Sequence, residues 1–335
     1  MKISASIYSS KDKELASLIH ELDAYNVDYF HIDSLDNPDV FDDIHLIKSI
    51  SNTQIDLHLI TPHPEKYFEK INEHKVENVT FQYESLENGI NLPANLQCNI
   101  GLAITSETSV EVFERYADSC SFILFMTTTP GMSGGEFNKE NFKKIRQFRA
   151  LYPTKKIHVD GGINAELSFI LRNMGVYASV IGSYLFKGTF IGSAMLNLKS
   201  DNIKSHFKIS DFMLEQDEIP VLSYENLTFE NVLLTIENYK MGFTHIADKD
   251  NKLLGIISNA DIRKGLIKNL GNLNQINIDD IINRNPAFVH DCDTVSDVLS
   301  YIKSLQFPVL FLPVVDKNQR ITGTIKFNNL IKGES

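Results

Sequence analysis

The sequence predicts an α/β protein whose first two hundred residues close into a (β/α)8 barrel, the TIM-barrel architecture, followed by a smaller α+β region. Short apolar runs recur eight times before residue 200, with amphipathic, helix-like stretches between them. Most runs span five to eight residues with few polar interruptions, the pattern of strands covered on both faces. Eight strands alternating with helical crossovers over roughly 200 residues is the period of such a barrel. The runner-up is a doubly wound open sheet. That fold usually carries a glycine-rich loop after its first strand, and SSKDKE has no glycine.

The eight strands are expected at KISASIY (2–8), YFHID (29–33), QIDLHLI (54–60), VENVTFQY (76–83), NIGLAI (99–104), SFILFMT (121–127), KIHVDGG (156–162) and SVIGSYL (179–185). Between the first two, KDKELASLIHELDAYN sets Leu15, Leu18, Ile19 and Leu22 on one helix face. Before the seventh, ENFKKIRQFRALY does the same with Phe142, Ile145, Phe148 and Leu151. A barrel domain is therefore expected at 1–198, a polar linker at 199–210 and a second region at 211–335. That region holds an internal repeat of about 60 residues, with copies near 211–270 and 276–335. GFTHIADKDNKLLGIISNADIRKGL (242–266) is echoed by FLPVVDKNQRITGTIKFNNLIKG (311–333), and a helical stretch precedes each. Two copies of one small unit pack together because neither buries enough alone.

The 335 residues are 43% hydrophobic and 22% charged, the composition of a soluble globular protein. A net charge of -11 offers no general attraction to nucleic acid or to an anionic membrane, so neither is expected as a partner. Cys98, Cys120 and Cys292 lack metal or redox spacing and suit a reducing compartment. MKISASIYSSKDKE has no apolar signal core, and no apolar run is long enough to span a membrane. A cytoplasmic location is the expectation.

In such a barrel the active site is built at the C-terminal ends of the strands. His31 and Asp33 end strand two and point to one side, because side chains alternate with period two. Asp56 and His58 do the same on strand three, and Asp160 ends strand seven just before Gly161 and Gly162. Alone, each of these has a bland reading: His-x-Asp as a hydrogen-bonding strand end, His58 as a packed histidine. Three strand ends agreeing is harder to dismiss. His31, Asp33, His58 and Asp160 offer a mixed N/O set that suits one divalent cation, Zn²⁺, Fe²⁺ or Mn²⁺. Glycines follow in TPGMSGGEF (129–137), at Gly161-Gly162 and at Gly182-Ser183, where barrels of this kind hold phosphate on exposed backbone N–H groups. The two features together point to a phosphorylated, oxygen-rich small substrate.

Residues 2 to about 195 resemble the ribulose-phosphate 3-epimerase family. The likeness rests on Ser6, His31-x-Asp33, Asp56-Leu-His58-Leu59, PGMSGGEF, Val159-Asp160-Gly161-Gly162 and Gly182-Ser183, in the family's order and spacing. It implies one divalent metal ion on His31, Asp33, His58 and Asp160, with Asp33 and Asp160 as the acid/base pair. It also implies a substrate pocket of Ser6, His58, Gly131, Met132, Ser133, Gly134, Gly161, Gly162, Gly182 and Ser183. The implied reaction is epimerisation at C3 of a ketose phosphate, by default D-ribulose 5-phosphate to D-xylulose 5-phosphate, through a cis-enediolate. Several positions depart from the family: Ala5, Leu35, Ile60, the Met132–Gly135 loop, and Tyr8 in place of a smaller aliphatic. These leave the chemistry intact and keep open a hexulose or heptulose phosphate of surface-polysaccharide sugar synthesis. A regulatory protein that has kept the ligands and lost turnover is the reading from another class. His158, on the same strand face as Asp160, reads as a barrel-layer residue.

Residues 211 to 333 resemble a tandem CBS pair, more closely the pair appended to arabinose-5-phosphate isomerases. The first copy has Gly255-Ile-Ile-Ser258-x-x-Asp261; the second reads Gly323-Thr-Ile-Lys326-x-x-Asn329. The likeness implies an adenine or other nucleotide held by Asp261 at its ribose and Ser258 near phosphate, or a pair that only dimerises. Both parts of such chains commonly self-associate, so a homo-oligomer is expected.

Overall fold

A computed structural model describes residues 1–93, 95–132, 134–188, 190–199, 205–271, 276–305 and 309–326. The chain divides into two compact units at the Lys204–Ser205 junction.

The first unit is the closed barrel. Its strands are β1 (Lys2–Ser6), β2 (Tyr29–Ser34), β3 (Gln54–Leu59), β4 (Asn78–Gln82), β5 (Asn99–Thr105), β6 (Phe122–Met126), β7 (Lys156–Asp160) and β8 (Ala178–Ile181). Each pairs in parallel with the next, and β8 returns to β1, so no edge is left open. Each of the eight expected runs contains a strand, but the first, expected over 2–8, gives way to a 3-10 turn at Ile7–Ser9, and the eighth, expected over 179–185, ends at Ile181 before a short helix at Ser183–Phe186. They are buried almost throughout because helices cover the outer face and side chains fill the inner one.

The covering helices are α1 (Leu15–Ala24), α2 (Val40–Ile50), α3 (Phe68–Glu73), α4 (Glu140–Leu151), α5 (Ala165–Asn173), α6 (Ser183–Phe186) and α7 (Ile191–Lys199). In α1, Leu18, Ile19 and Leu22 are buried as the spacing predicts. In α4, Phe142, Ile145 and Phe148 are buried but Leu151 is 57% exposed. Steps of three residues lag the helical turn by roughly 60° each, so the fourth position has rotated off the face. Two crossovers also differ from the expected helices. After β4 comes a 3-10 turn at Tyr83–Ser85 and then a loop in which Gly89 has φ +72° and Pro93 lacks a donor. After β5, a 3-10 helix at Val110–Tyr116 starts on two β-branched valines.

His158 lies in the barrel interior, 3% exposed, with its ring stacked 4.2 Å from Phe122 and 5.7 Å from Tyr177. Burial pushes its pKa down to about 4, as expected of a packed neutral residue.

The second unit carries β9 (Leu214–Glu215), β10 (Val221–Ser223), β11 (Phe243–Ala247), β12 (Leu253–Ser258), β13 (Val289–His290), β14 (Phe311–Val315) and β15 (Ile321–Lys326). Its helices are α8 (Phe229–Tyr239), α9 (Asn259–Lys268) and α10 (Val295–Ser304). The strands form two sheets, ordered β10-β11-β12 and β13-β14-β15-β9. The repeat survives in detail. β10 runs parallel to β11, as β13 does to β14, and both hairpins, β11–β12 and β14–β15, carry a register shift one residue before the turn. At each turn an aspartate, Asp248 or Asp316, accepts two backbone N–H bonds, and Asn251 or Gln319 takes a left-handed φ of +61° or +62°. Equivalent positions are 68 residues apart, somewhat more than the spacing read from sequence. Among the described residues no helix is long and apolar enough to cross a membrane.

His245 in β11 links the two copies. Its Nδ1 lies 2.9 Å from the Pro220 carbonyl and its Nε2 3.0 Å from Thr324 Oγ1 in β15. Burial pushes its pKa down to about 4, against an ordinary 6.5. Between those values the unfolded chain binds more protons, so stability is full above pH 6.5 and is lost as pH falls toward 4. Denaturation of this unit is therefore expected to lose on the order of 3 kcal/mol between pH 7 and pH 4. The His245→Gln variant should lack that slope, and an equal slope in both proteins would contradict the assignment.

Candidate active site

The polar ends of β2, β3 and β7 meet inside the barrel mouth. Parallel pairing places His31 beside Asp56 and Asp33 beside His58. Period-two alternation then turns all four inward, as the sequence predicts. His31 is 1% exposed and His58 0%. Asp160, the last residue of β7, completes the group: one ligand atom from each of His31, Asp33, His58 and Asp160 lies within 4.8 Å of the others.

His31 Nε2 stands 3.4 Å from Asp33 Oδ1 and 3.7 Å from Asp160 Oδ2, and His58 Nδ1 stands 2.9 Å from Asp33 Oδ1. Among the described residues His31 Nε2 is buried without a hydrogen bond. A buried ring nitrogen of this kind is costly unless something occupies the point it faces. Two imidazoles and two carboxylates around that point fit a divalent cation of the borderline class.

His31, Asp33 and Asp160 are each shifted by burial and by their neighbours. Burial alone would lower His31, but the Asp33 and Asp56 carboxylates outweigh it and raise the pKa well above 6.5. Burial alone would raise Asp33, yet His31 and His58 hold it well below the carboxylate range. Asp160 goes the other way: burial, aided by Asp33, raises it over the opposing pull of His31. Two neighbouring carboxyl groups are thus pushed toward opposite protonation states.

The same two carboxylates open onto a cavity lined by Ser6, Gly131, Met132, Gly134, Gly161, Gly162, Gly182 and Ser183, all expected at the site. Ser133 lies outside the described residues. His58, also expected in the substrate pocket, does not line this cavity; it pairs in register with Asp33 and meets that carboxylate through Nδ1 at 2.9 Å. Gly161 takes φ +115°, and a Cβ there would come within 2.7 Å of Thr127 Oγ1. Thr127 is a clamp for this turn: its Oγ1 donates to the Asp160 carbonyl at 2.9 Å and to the Gly161 carbonyl at 2.6 Å. Gly182 packs against Ser9, whose Cβ would lie 3.0 Å from an added methyl.

Gln82 and Ser4 carry no flag in the sequence motifs, whereas Tyr8 is one of the departures from the family. Gln82 Oε1 accepts from His58 Nε2 at 2.9 Å, and the Gln82 amide donates in turn to Glu84. Polar residues at alternate positions in VTFQYES are the available signal, and they are overlooked because the run ends like any other strand. Ser4 Oγ donates to Asp56 Oδ2 at 2.7 Å, which anchors the carboxylate beneath His31. Tyr8 lines the cavity with its hydroxyl donated to Asp43 at 2.6 Å, so its ring is fixed at the rim. Asp36 faces outward from the cluster and accepts from Thr61 and Tyr67 at 2.6 and 2.9 Å.

In the C-terminal unit Ser258 and Asp261 do come together. Asp261 Oδ2 accepts from Ser258 Oγ at 2.6 Å and from its N–H at 3.0 Å, while Ser258 Oγ accepts from the Asp261 N–H at 3.3 Å. This is a capping box that starts α9, so the Ser-x-x-Asp spacing has a structural use of its own. A cavity beside it is lined by Asp261, Lys264, Lys268, Asn277, Asp280 and Asn283.

Comparison with known proteins adds to this geometry. The profile of the ribulose-phosphate 3 epimerase family matches residues 2–186. A ribulose-phosphate 3-epimerase of Buchnera aphidicola is 30% identical over 200 residues, covering 55% of this chain and 88% of that protein. One from Methanocaldococcus jannaschii is 27% identical, covering 59% and 90%. Solved CBS pairs are similar over the C-terminal part. CBSX2 of Arabidopsis thaliana shares 19% identity at a TM-score of 0.32, covering 38% of this chain and 94% of its own. The CBS pair of MJ0100, solved with 5-methylthioadenosine and S-adenosyl-L-methionine, shares 23% at 0.32, covering 38% and 98%.

The turn after β7 gives a direct test of the packing that holds Asp160. Gly161→Ala should cost about 1–3 kcal/mol for the left-handed backbone alone, with the Thr127 clash in addition. Its denaturation midpoint should fall accordingly, and an unchanged midpoint would contradict the strained geometry.

Proposed function

The chain belongs to the ribulose-phosphate 3-epimerase family, and from that premise we propose that its barrel is a metal-dependent epimerase acting at C3 of a ketose phosphate. D-ribulose 5-phosphate to D-xylulose 5-phosphate is the default reaction. The observation that carries this reading is the convergence of His31, Asp33, His58 and Asp160 within 4.8 Å at the cavity mouth.

Epimerisation takes a proton from the carbon next to a carbonyl and returns one on the opposite face. That demands two acid/base groups, one on each side of a planar enediolate. Asp33, held ionised by the two histidines, suits the base; Asp160, with its raised pKa, suits the acid. In the reverse direction the two exchange roles. His31, Asp33, His58 and Asp160 would hold a divalent ion, which when bound would supply positive charge to stabilise the negative charge that develops on the substrate oxygens. Ser6 faces the sugar from β1. Gly131, Gly134, Gly161 and Gly162 all have positive φ, a conformation that turns backbone N–H groups into anion-binding concavities, and with Gly182 and Ser183 they suit the phosphate. A longer ketose phosphate is the second reading, favoured by the open side of the mouth: Met132 is 68% exposed and Leu35 59%.

We read the second unit as a tandem CBS pair that senses an adenine or other nucleotide, or joins two chains. Asp261 keeps Oδ1 clear of the capping box, with Lys264 at 3.8 Å its one ion-pair partner among the described residues, so that oxygen suits a ribose hydroxyl. Domain assignment follows: catalysis in the barrel, regulation or assembly in the repeat.

Deuterium exchange at C3 of ribulose 5-phosphate in D₂O, followed by NMR with Zn²⁺, Mn²⁺ or Fe²⁺, tests the enzyme. Exchange with the pentulose supports the default, exchange with a hexulose or heptulose phosphate alone moves the substrate, and none with any of them leaves a non-catalytic protein. Asp160→Asn should abolish turnover with little change in stability; retained turnover would remove it from the pair. For the second unit, adenosine and cytidine nucleotides in a thermal-shift assay should raise the melting temperature. Asp261→Ala should abolish that rise beyond its own cost of about 1 kcal/mol as a lost cap residue. A rise unchanged in the variant would sink the ribose anchor.

A further inference from the structure

Each histidine of the cluster has one ring nitrogen turned to the cluster centre and the other engaged by a buried partner, and the two use opposite nitrogens. His31 presents Nε2 to Asp33 and Asp160 and directs Nδ1 to Asp56 at 3.0 Å. His58 presents Nδ1 to Asp33 and directs Nε2 to Gln82 Oε1 at 2.9 Å. A metal ligand must offer a lone pair, so the partner of the other nitrogen decides which tautomer is available.

On the His58 side that decision is forced from a distance. Glu84 can only accept. Its Oε1 takes the Thr105 N–H at 2.8 Å, the Thr105 hydroxyl at 3.0 Å and the Thr108 hydroxyl, while Oε2 takes the Gln82 amide. Because Glu84 accepts, Gln82 must turn its NH₂ group toward it. The Gln82 oxygen then faces His58, and an oxygen there requires a proton on Nε2. Nδ1 is left as the lone pair. Gln82 is 1% exposed, so no water competes for either end of its amide. On the His31 side the Ser4 hydroxyl, donated to Asp56, performs the shorter version of the same task.

We propose that Gln82 and Glu84 are positioning residues that fix His58 as an Nδ1 ligand, the counterpart of Asp56 and Ser4, which fix His31 as an Nε2 ligand. The proposal rests on the metal reading above. It adds residues on β4 and in the turn after it to a site otherwise built from β2, β3 and β7. It also makes the amide direction of Gln82, set by Glu84, a determinant of metal affinity.

Nitrogen-15 NMR of the zinc-loaded full chain reads the ligating nitrogen of each ring directly. The expected spectrum has His31 bound through Nε2 with a proton on Nδ1, and His58 bound through Nδ1 with a proton on Nε2. Zinc affinity, measured by competition with a chromophoric chelator, should fall 10- to 100-fold in Gln82→Leu. Glu84→Gln, whose side chain lies at the surface, should also weaken zinc because the amide at 82 is then free to turn. It serves as the readout where Gln82→Leu does not fold. His58 bound through Nε2, or wild-type affinity in the folded variants, would overturn the proposal. Failure of the wild-type chain to bind zinc, manganese or iron would instead sink the metal reading itself.

Discussion

The pairing of β2 with β3 is the constraint on which the site depends. Parallel register sets His31 beside Asp56 and Asp33 beside His58, and the closed barrel prevents either strand from slipping. A slip of one residue would turn both histidines and both carboxylates on those strands, Asp33 and Asp56, to the helical layer. Helices α1 and α2, with Leu18, Ile19, Leu22, Phe41 and Ile44 buried beneath them, make that alternative more costly still. Packing outside the barrel thus fixes chemistry inside it.

Held so, the cluster is a group of charges that need one another. Asp33, Asp56 and Asp160 stand close to two imidazoles in a site almost closed to water. Burying a carboxylate without compensation is expensive, and the fold answers with partners on every side. Ser4 and His31 bond Asp56, and His58 bonds Asp33, while His31 Nε2, facing the centre, makes no hydrogen bond among the described residues. The raised Asp160 and the lowered Asp33 follow from the same crowding, and so do their different roles in a proton transfer. The stability of the site and its proposed reactivity have one electrostatic origin.

Much of this was legible in the sequence, for reasons that also explain the rest. Alternation with period two and short buried strands are local signals, so the eight strands and the inward direction of His31, Asp33, His58 and Asp160 could be read before any coordinates. The crossovers after β4 and β5 were less legible, since a loop through Gly89 and Pro93 replaces a helix without disturbing the strand rhythm. Leu151 failed because a three-residue spacing drifts around a helix. Alternate polar positions hint at Gln82 and Glu84, but their role is not legible there. Their role lies in which way an amide faces, and that depends on Thr105 and Thr108, more than twenty residues further along the chain. In the second unit the paired aspartate turns made the repeat readable, while Ser258 and Asp261 show that a spacing read as a ligand motif also builds a helix cap.

Four side chains from three strands are proposed to hold a single divalent ion. Elemental analysis of the purified, dialysed chain tests it most directly. The account predicts close to one equivalent of zinc, iron or manganese per chain, lost in Asp33→Asn and His31→Ala variants that still unfold cooperatively. A chain that retains no metal, or retains it equally in those variants, would contradict the account.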